Sequence, residues 1–148
     1  SPALLTSTSS TPALRAVTGT MERVVESLAA GNADETVIAD EKQVEEDLKD
    51  LLAALKQASR PMLAQQNNND GQLGQQGNLN KLLGELKMLR LMQKTLHGET
   101  ETQDQLLAEQ SIKEGERRQR TGPLAERQQE IRDLTQRVQD EYGDEAGN

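Results

Sequence analysis

A chain of 148 residues with 33% hydrophobic residues has little material for a large core, and one tyrosine, Tyr142, is its entire aromatic content. A β-sandwich or barrel is excluded on that composition, because strands draw on aromatic and β-branched side chains. The formal charge of −8 excludes nucleic acid as a general partner, and the absence of cysteine excludes disulfides, thiol chemistry and cysteine-based zinc sites.

Residues 1–10 (SPALLTSTSS) are small and polar without periodicity, which predicts a flexible terminus lacking the charged and apolar regions of a signal peptide. Thr11 followed by Pro12 has the form of a helix start, since proline's missing N–H is not needed in the first turn. Leu14, Val17, Met21, Val24 and Leu28 follow at alternating spacings of three and four, which place them on one stripe. Gly31 ends this helix. A second stripe runs through Val37, Glu41, Val44, Leu48, Leu51 and Leu55, interrupted only by the charge at Glu41. The connection at 32–34 is short enough to predict an antiparallel hairpin over 11–60, closed by Pro61.

Residues 61–78 are rich in Gln, Asn and Gly and nearly uncharged, so they predict a linker with little to bury. A coil of that length spans about 23 Å on average, sufficient to fold two hairpins together or to hold them apart. The third stripe comprises Leu79, Leu82, Leu86, Leu89, Gln93 and Leu96, widened by Leu83, Met88 and Met92. Its phase continues through Thr100, Gln103 and Leu107, so the helix either breaks at Gly98 or runs to about Glu114 as a rod of ~52 Å. Residues 115–122 read as a connection, and Pro123 as the opening of a fourth helix carrying Leu124, Ile131, Leu134 and Val138. The predicted architecture is all-α: coiled-coil-like hairpins at 11–60 and 79–142, able to dock as an elongated four-helix arrangement, with an acidic tail at 143–148. Charge favours docking. Residues 34–50 hold eight acids and two lysines, whereas 81–94 hold four bases and one acid.

Residues able to carry chemistry are few. His97 and Glu101 share one helical face, but no third ligand accompanies them. The run Asn67, Asn68, Asn69, Asp70, Gly71 lacks the glutamate that a calcium loop needs at its twelfth position. Gly71, Gly74 and Gly77 are followed by no Lys-Ser/Thr pair, so a phosphate loop is not formed. Arg117, Arg118 and Arg120 could clamp an anion, yet Glu114 and Glu116 beside them favour a solvated, locally compensated turn. Acid pairs such as Glu45 with Glu46 have no apolar cleft to raise a pKa. No catalytic residue, cofactor or metal is therefore expected.

Leu83–Glu101 (LGELKMLRLMQKTLHGETE) and Leu124–Val138 (LAERQQEIRDLTQRV) together resemble coiled-coil segments of bacterial cell-envelope proteins associated with biopolymer-transport components of the ExbB/ExbD kind. That resemblance implies a periplasmic or envelope setting and a structural or coupling role without catalytic residues. The expected function is a noncatalytic helical scaffold that binds a protein partner or self-associates through leucine-rich helices, with no nucleic acid and no direct membrane insertion. Leu79, Leu82, Leu83, Leu86, Leu89, Met92 and Leu96 form the candidate interaction stripe, with an intramolecular core as the alternative use of the same residues. A competing function is an acidic regulator that inhibits an enzyme or nucleic-acid machine, which requires 34–50 to gather its acids on one exposed face.

Overall fold

The computed structural model describes residues 10–64 and 70–143, in which the chain forms four helices. They are α1 (Ser10–Ala29), α2 (Glu35–Ala64), α3 (Asp70–Glu109) and α4 (Glu114–Gly143). Of the predicted flexible termini at 1–10 and 143–148, residues 1–9 and 144–148 lie outside the described residues, as do 65–69 of the predicted linker, whereas Ser10 and Gly143 belong to α1 and α4.

The turn between α1 and α2 is built as its sequence requires. The Asn32 N–H donates to the Ser27 carbonyl (2.9 Å) and the Gly31 N–H to the Leu28 carbonyl (3.1 Å). This paired closure of a helix C-terminus needs a left-handed residue, and Gly31 supplies it with φ of 93°. Asp34 then caps α2, its Oδ1 accepting from the N–H groups of Thr36 (3.1 Å) and Val37 (3.2 Å).

Helix ends elsewhere depart from expectation. α2 continues past Pro61 to Ala64, and α3 begins at Asp70, so 70–78 are helical rather than coil. Extending an already nucleated helix needs no new nucleus, which lets polar residues of modest propensity join a packed segment. α3 also passes through Gly98 without a break. α4 starts at Glu114, nine residues before Pro123, which lies inside it. Its first turns hold Glu114 and Glu116 near the positive end of the helix, paired one turn on with Arg118 (2.9 Å) and Arg120 (3.3 Å). Thr121 is buried there and donates to the Leu28 carbonyl at the end of α1 (2.5 Å). These contacts offset the backbone hydrogen bond that Pro123 cannot make.

Long-range contacts fix an antiparallel ring. Arg23 on α1 reaches Asp40 on α2 (4.0 Å), and Thr100 on α3 reaches Glu41 on α2 (2.8 Å). Lys81 on α3 pairs with Glu141 on α4 (3.0 Å), while Arg132 on α4 pairs with Glu22 on α1 (2.9 Å). Each helix therefore packs against its neighbours in the order α1, α2, α3, α4 and back to α1, and among the described residues the diagonal pairs make no close backbone approach. One core results, drawing Leu14, Met21 and Leu28 from α1, Leu48 from α2, Leu82, Leu86 and Leu89 from α3, and Leu124, Ile131 and Val138 from α4.

α4 brings polar side chains to that core. Its inward positions run Thr121, Leu124, Gln128, Ile131, Thr135, Val138 and Tyr142, alternating polar with apolar. Gln93 and Gln128 are fully buried and exchange amide hydrogen bonds, Gln93 Nε2 donating to Gln128 Oε1 (2.9 Å) and Gln128 Nε2 to Gln93 Oε1 (2.8 Å). The reciprocal pair satisfies both carbonyls, as burial demands.

The expected charge match between α2 and α3 is not how those helices meet. In the antiparallel register Glu41 lies beside Thr100, which leaves the basic segment 81–94 opposite the far end of α2. Among the described residues no ion pair joins an acid of 34–50 to a base of 81–94, and leucine burial carries the contact.

Candidate interaction surface

The leucine stripe of α3 is turned inward. Leu79, Leu82, Leu86, Leu89 and Leu96 are all buried, and Leu83 and Met92 are half-buried against the same core. Helical geometry leaves only the opposite side of α3 for an outside partner. Two large apolar residues stand exposed there, Met88 at 51% and Leu91 at 63%.

Leu91 forms a ridge between two grooves. The first, of about 520 Å³, lies between α2 and α3 and is lined by Lys49, Leu52, Ala53, Lys56, Lys87, Arg90, Leu91 and Lys94. Five cations thus converge on an apolar floor in a protein whose net charge is −8. No acid among the described residues forms an ion pair with Lys49, Lys87, Arg90 or Lys94, and Arg90 Nε is buried without a hydrogen-bond partner. Like charges gathered this closely repel, and an anionic surface laid over them would relieve the repulsion. The second groove, of about 360 Å³, lies between α3 and α4; Leu91, Met92, Leu96 and Ile131 supply its apolar wall, and Glu99 and Arg127, which pair with each other, lie at its edge.

The remaining candidates have structural roles. His97 sits within α3 and contacts Glu101 (Nδ1 to Oε1, 3.3 Å), and no group of three metal-ligating side chains occurs among the described residues. Arg118 and Arg120 are engaged by their neighbouring glutamates, and Arg117 reaches the Leu107 carbonyl (3.5 Å). The acids of 34–50 spread around α2 instead of sharing a face. Glu41 is in the core, Glu45 is buried beside Lys42 (3.6 Å), Asp40 faces α1, and Asp34 caps the helix.

Glu41 is the most perturbed group. Burial raises its pKa from 4.5 to about 8, against the opposing hydrogen bond from Thr100, with a smaller upward push from Glu101. Thr100 Oγ1 lies 2.8 Å from Glu41 Oε2 and 3.0 Å from the Leu96 carbonyl. One hydroxyl proton cannot serve both acceptors. A protonated Glu41 resolves the conflict by donating to Thr100, whose own proton then goes to Leu96. Glu41 opens onto no groove described above, so its perturbation belongs to the core.

Sequence reasoning passed over Leu91 because it falls between Leu89 and Gln93 of the stripe, and over the cationic rim because its residues come from two helices. No family model matches this chain, and no match was found among curated proteins or solved structures.

Proposed function

We propose that this chain is a noncatalytic helical module that scaffolds or couples proteins, and that a protein partner meets it on the α2–α3 face around Leu91. The observation that carries this reading is the exposed Leu91 beside an apolar groove rimmed by five cations. Exposed apolar surface framed by charge is the ordinary composition of a binding face. Among the described residues, His97, Arg117, Arg118, Arg120, Asp34 and Glu41 are engaged in ion pairing, capping or hydrogen bonds. The inhibitory-regulator alternative needs a coherent acidic face, and the scatter of 34–50 around α2 does not favour it. The proposal includes the cell-envelope setting implied by the resemblance of 83–101 and 124–138. Among the described residues no helix is long and apolar enough to cross a membrane, and direct insertion forms no part of it.

Position-specific photo-cross-linking tests the reading. A photoreactive side chain at Leu91, introduced into the full chain in extracts of its source cells, should give defined protein adducts, whereas the same probe at Gln129 on the exposed side of α4 should not. Equal adduct yields at both positions, or none at either, would remove the assignment of this face.

A further inference from the structure

Continued along both helices, the α2–α3 face changes sign. Its cationic end holds Lys49, Lys56, Lys87, Arg90 and Lys94. Stepping toward the other end by heptads brings Glu35, Lys42, Glu45 and Glu46 on α2, and His97, Glu101 and Asp104 on α3. Lys42 is held there by Glu45 and Glu46 (3.6 Å each), leaving that end anionic overall. The two charge centres on α3 lie about twelve residues apart, or ~18 Å.

We infer that this face binds a second copy of the same chain about a two-fold axis, with the cationic end of each copy over the anionic end of the other. The inference rests on the interaction role proposed above and names the partner. A two-fold contact brings the same patch from both copies together, so it needs a patch complementary to its own reverse. The α3 part of this face meets that requirement. The midpoint between Lys94 and Glu101, and that between Lys87 and Asp104, both fall in the turn from Thr95 to Gly98. Thr95 and Gly98 are exposed and small, and a Cβ placed on Gly98 would meet nothing within 4 Å. Two α3 helices can therefore cross closely at the axis, seating Leu91 of each copy beside Thr102 of the other. The dimer buries Leu91 and places anions over Lys87, Arg90 and Lys94, which form no ion pair among the described residues. With Met88 and Leu91 as its main apolar content, the association is weak and salt-sensitive.

Sedimentation equilibrium of the full chain tests the inference. Wild type should dimerise at low salt, with a dissociation constant rising as NaCl goes from about 20 to about 500 mM. Lys87→Glu combined with Lys94→Glu should weaken self-association at least about tenfold, and so should Glu101→Lys combined with Asp104→Lys. Mixing the two variants should restore a dimer, because acids of one then face bases of the other at both ends. That rescue requires this face of one copy to lie on the same face of the other. A wild type that stays monomeric at about 0.5 mM in low salt overturns the inference, as does failure of two folded variants to pair. If a variant loses its helical circular dichroism, the wild-type salt dependence decides: an unchanged dissociation constant overturns the charge pairing. A monomeric wild type whose Leu91 probe captures another protein would refute the second copy as partner while leaving the interaction role intact.

Discussion

Replacing Glu41 by glutamine isolates the cost of a carboxyl group in the core. Glu41 is fully buried, and its pKa is raised to about 8 from an ordinary 4.5. The folded protein thus holds this proton more tightly than the unfolded chain. Unfolding releases it between pH 4.5 and 8, so stability is greatest at the acidic side of that window and falls as pH rises through it. At about 1.36 kcal/mol per pKa unit, the loss across the window amounts to as much as ~5 kcal/mol. A domain of this length loses roughly 2–4 °C of melting temperature per kcal/mol, which predicts a fall of about 10–20 °C between pH 5 and pH 9. Glutamine retains an N–H to donate to Thr100, as the protonated carboxyl does, and never ionises. Glu41→Gln should therefore melt close to wild type at pH 5 and several kcal/mol above it at pH 9, measured by thermal and urea denaturation across the series. Parallel pH profiles for the two proteins would refute the reasoning, since the slope would then come from groups other than Glu41.

Further outcomes follow from the packing. Gln128→Leu should cost about 1–3 kcal/mol by stranding the buried amide of Gln93, and the double change Gln93→Leu with Gln128→Leu should recover most of that loss in urea titrations. Gly31→Ala should destabilise by roughly 1–2 kcal/mol, because φ of 93° strains any side-chain-bearing residue and the added carbon would lie 3.3 Å from Arg118 Cγ. Leu51→Asp and Leu86→Asp should each cost more than about 4 kcal/mol or prevent folding, while Lys94→Ala should shift stability by less than about 0.5 kcal/mol.

Periodicity made the inward faces legible. Leu14, Val17, Met21, Val24 and Leu28 are all buried, as their spacing requires, and the same holds for Leu79, Leu82, Leu86, Leu89 and Leu96 of α3. Thr121, Gln128 and Thr135 were hidden because a polar side chain in phase with a stripe reads as an interruption; its buried partner lies on another helix, or, for Thr135, one turn back at the Ile131 carbonyl. Pro61 and Pro123 mark helix boundaries by local propensity, a cost of about 3 kcal/mol that tertiary contacts can outweigh. Net charge by segment was legible and its consequence was not, because the antiparallel register alone decides which ends of α2 and α3 lie side by side. The candidate surface shares that property. Leu91 and the five cations become one feature only when α2 and α3 are brought together.

Disulfide trapping at the centre of the α3 face reads out that surface most directly, since the native chain contains no cysteine. Thr95→Cys places one thiol beside the inferred axis, and Gln129→Cys places one on the exposed side of α4 as a reference. Under mild oxidation at low salt, the Thr95→Cys protein should form a covalent dimer rapidly, and more slowly when Lys87→Glu and Lys94→Glu are added, whereas the Gln129→Cys protein should cross-link only at the rate of random collision. Equal rates at the two positions, or trapping at Thr95→Cys that ignores the charge changes, would contradict a charge-matched contact through this face.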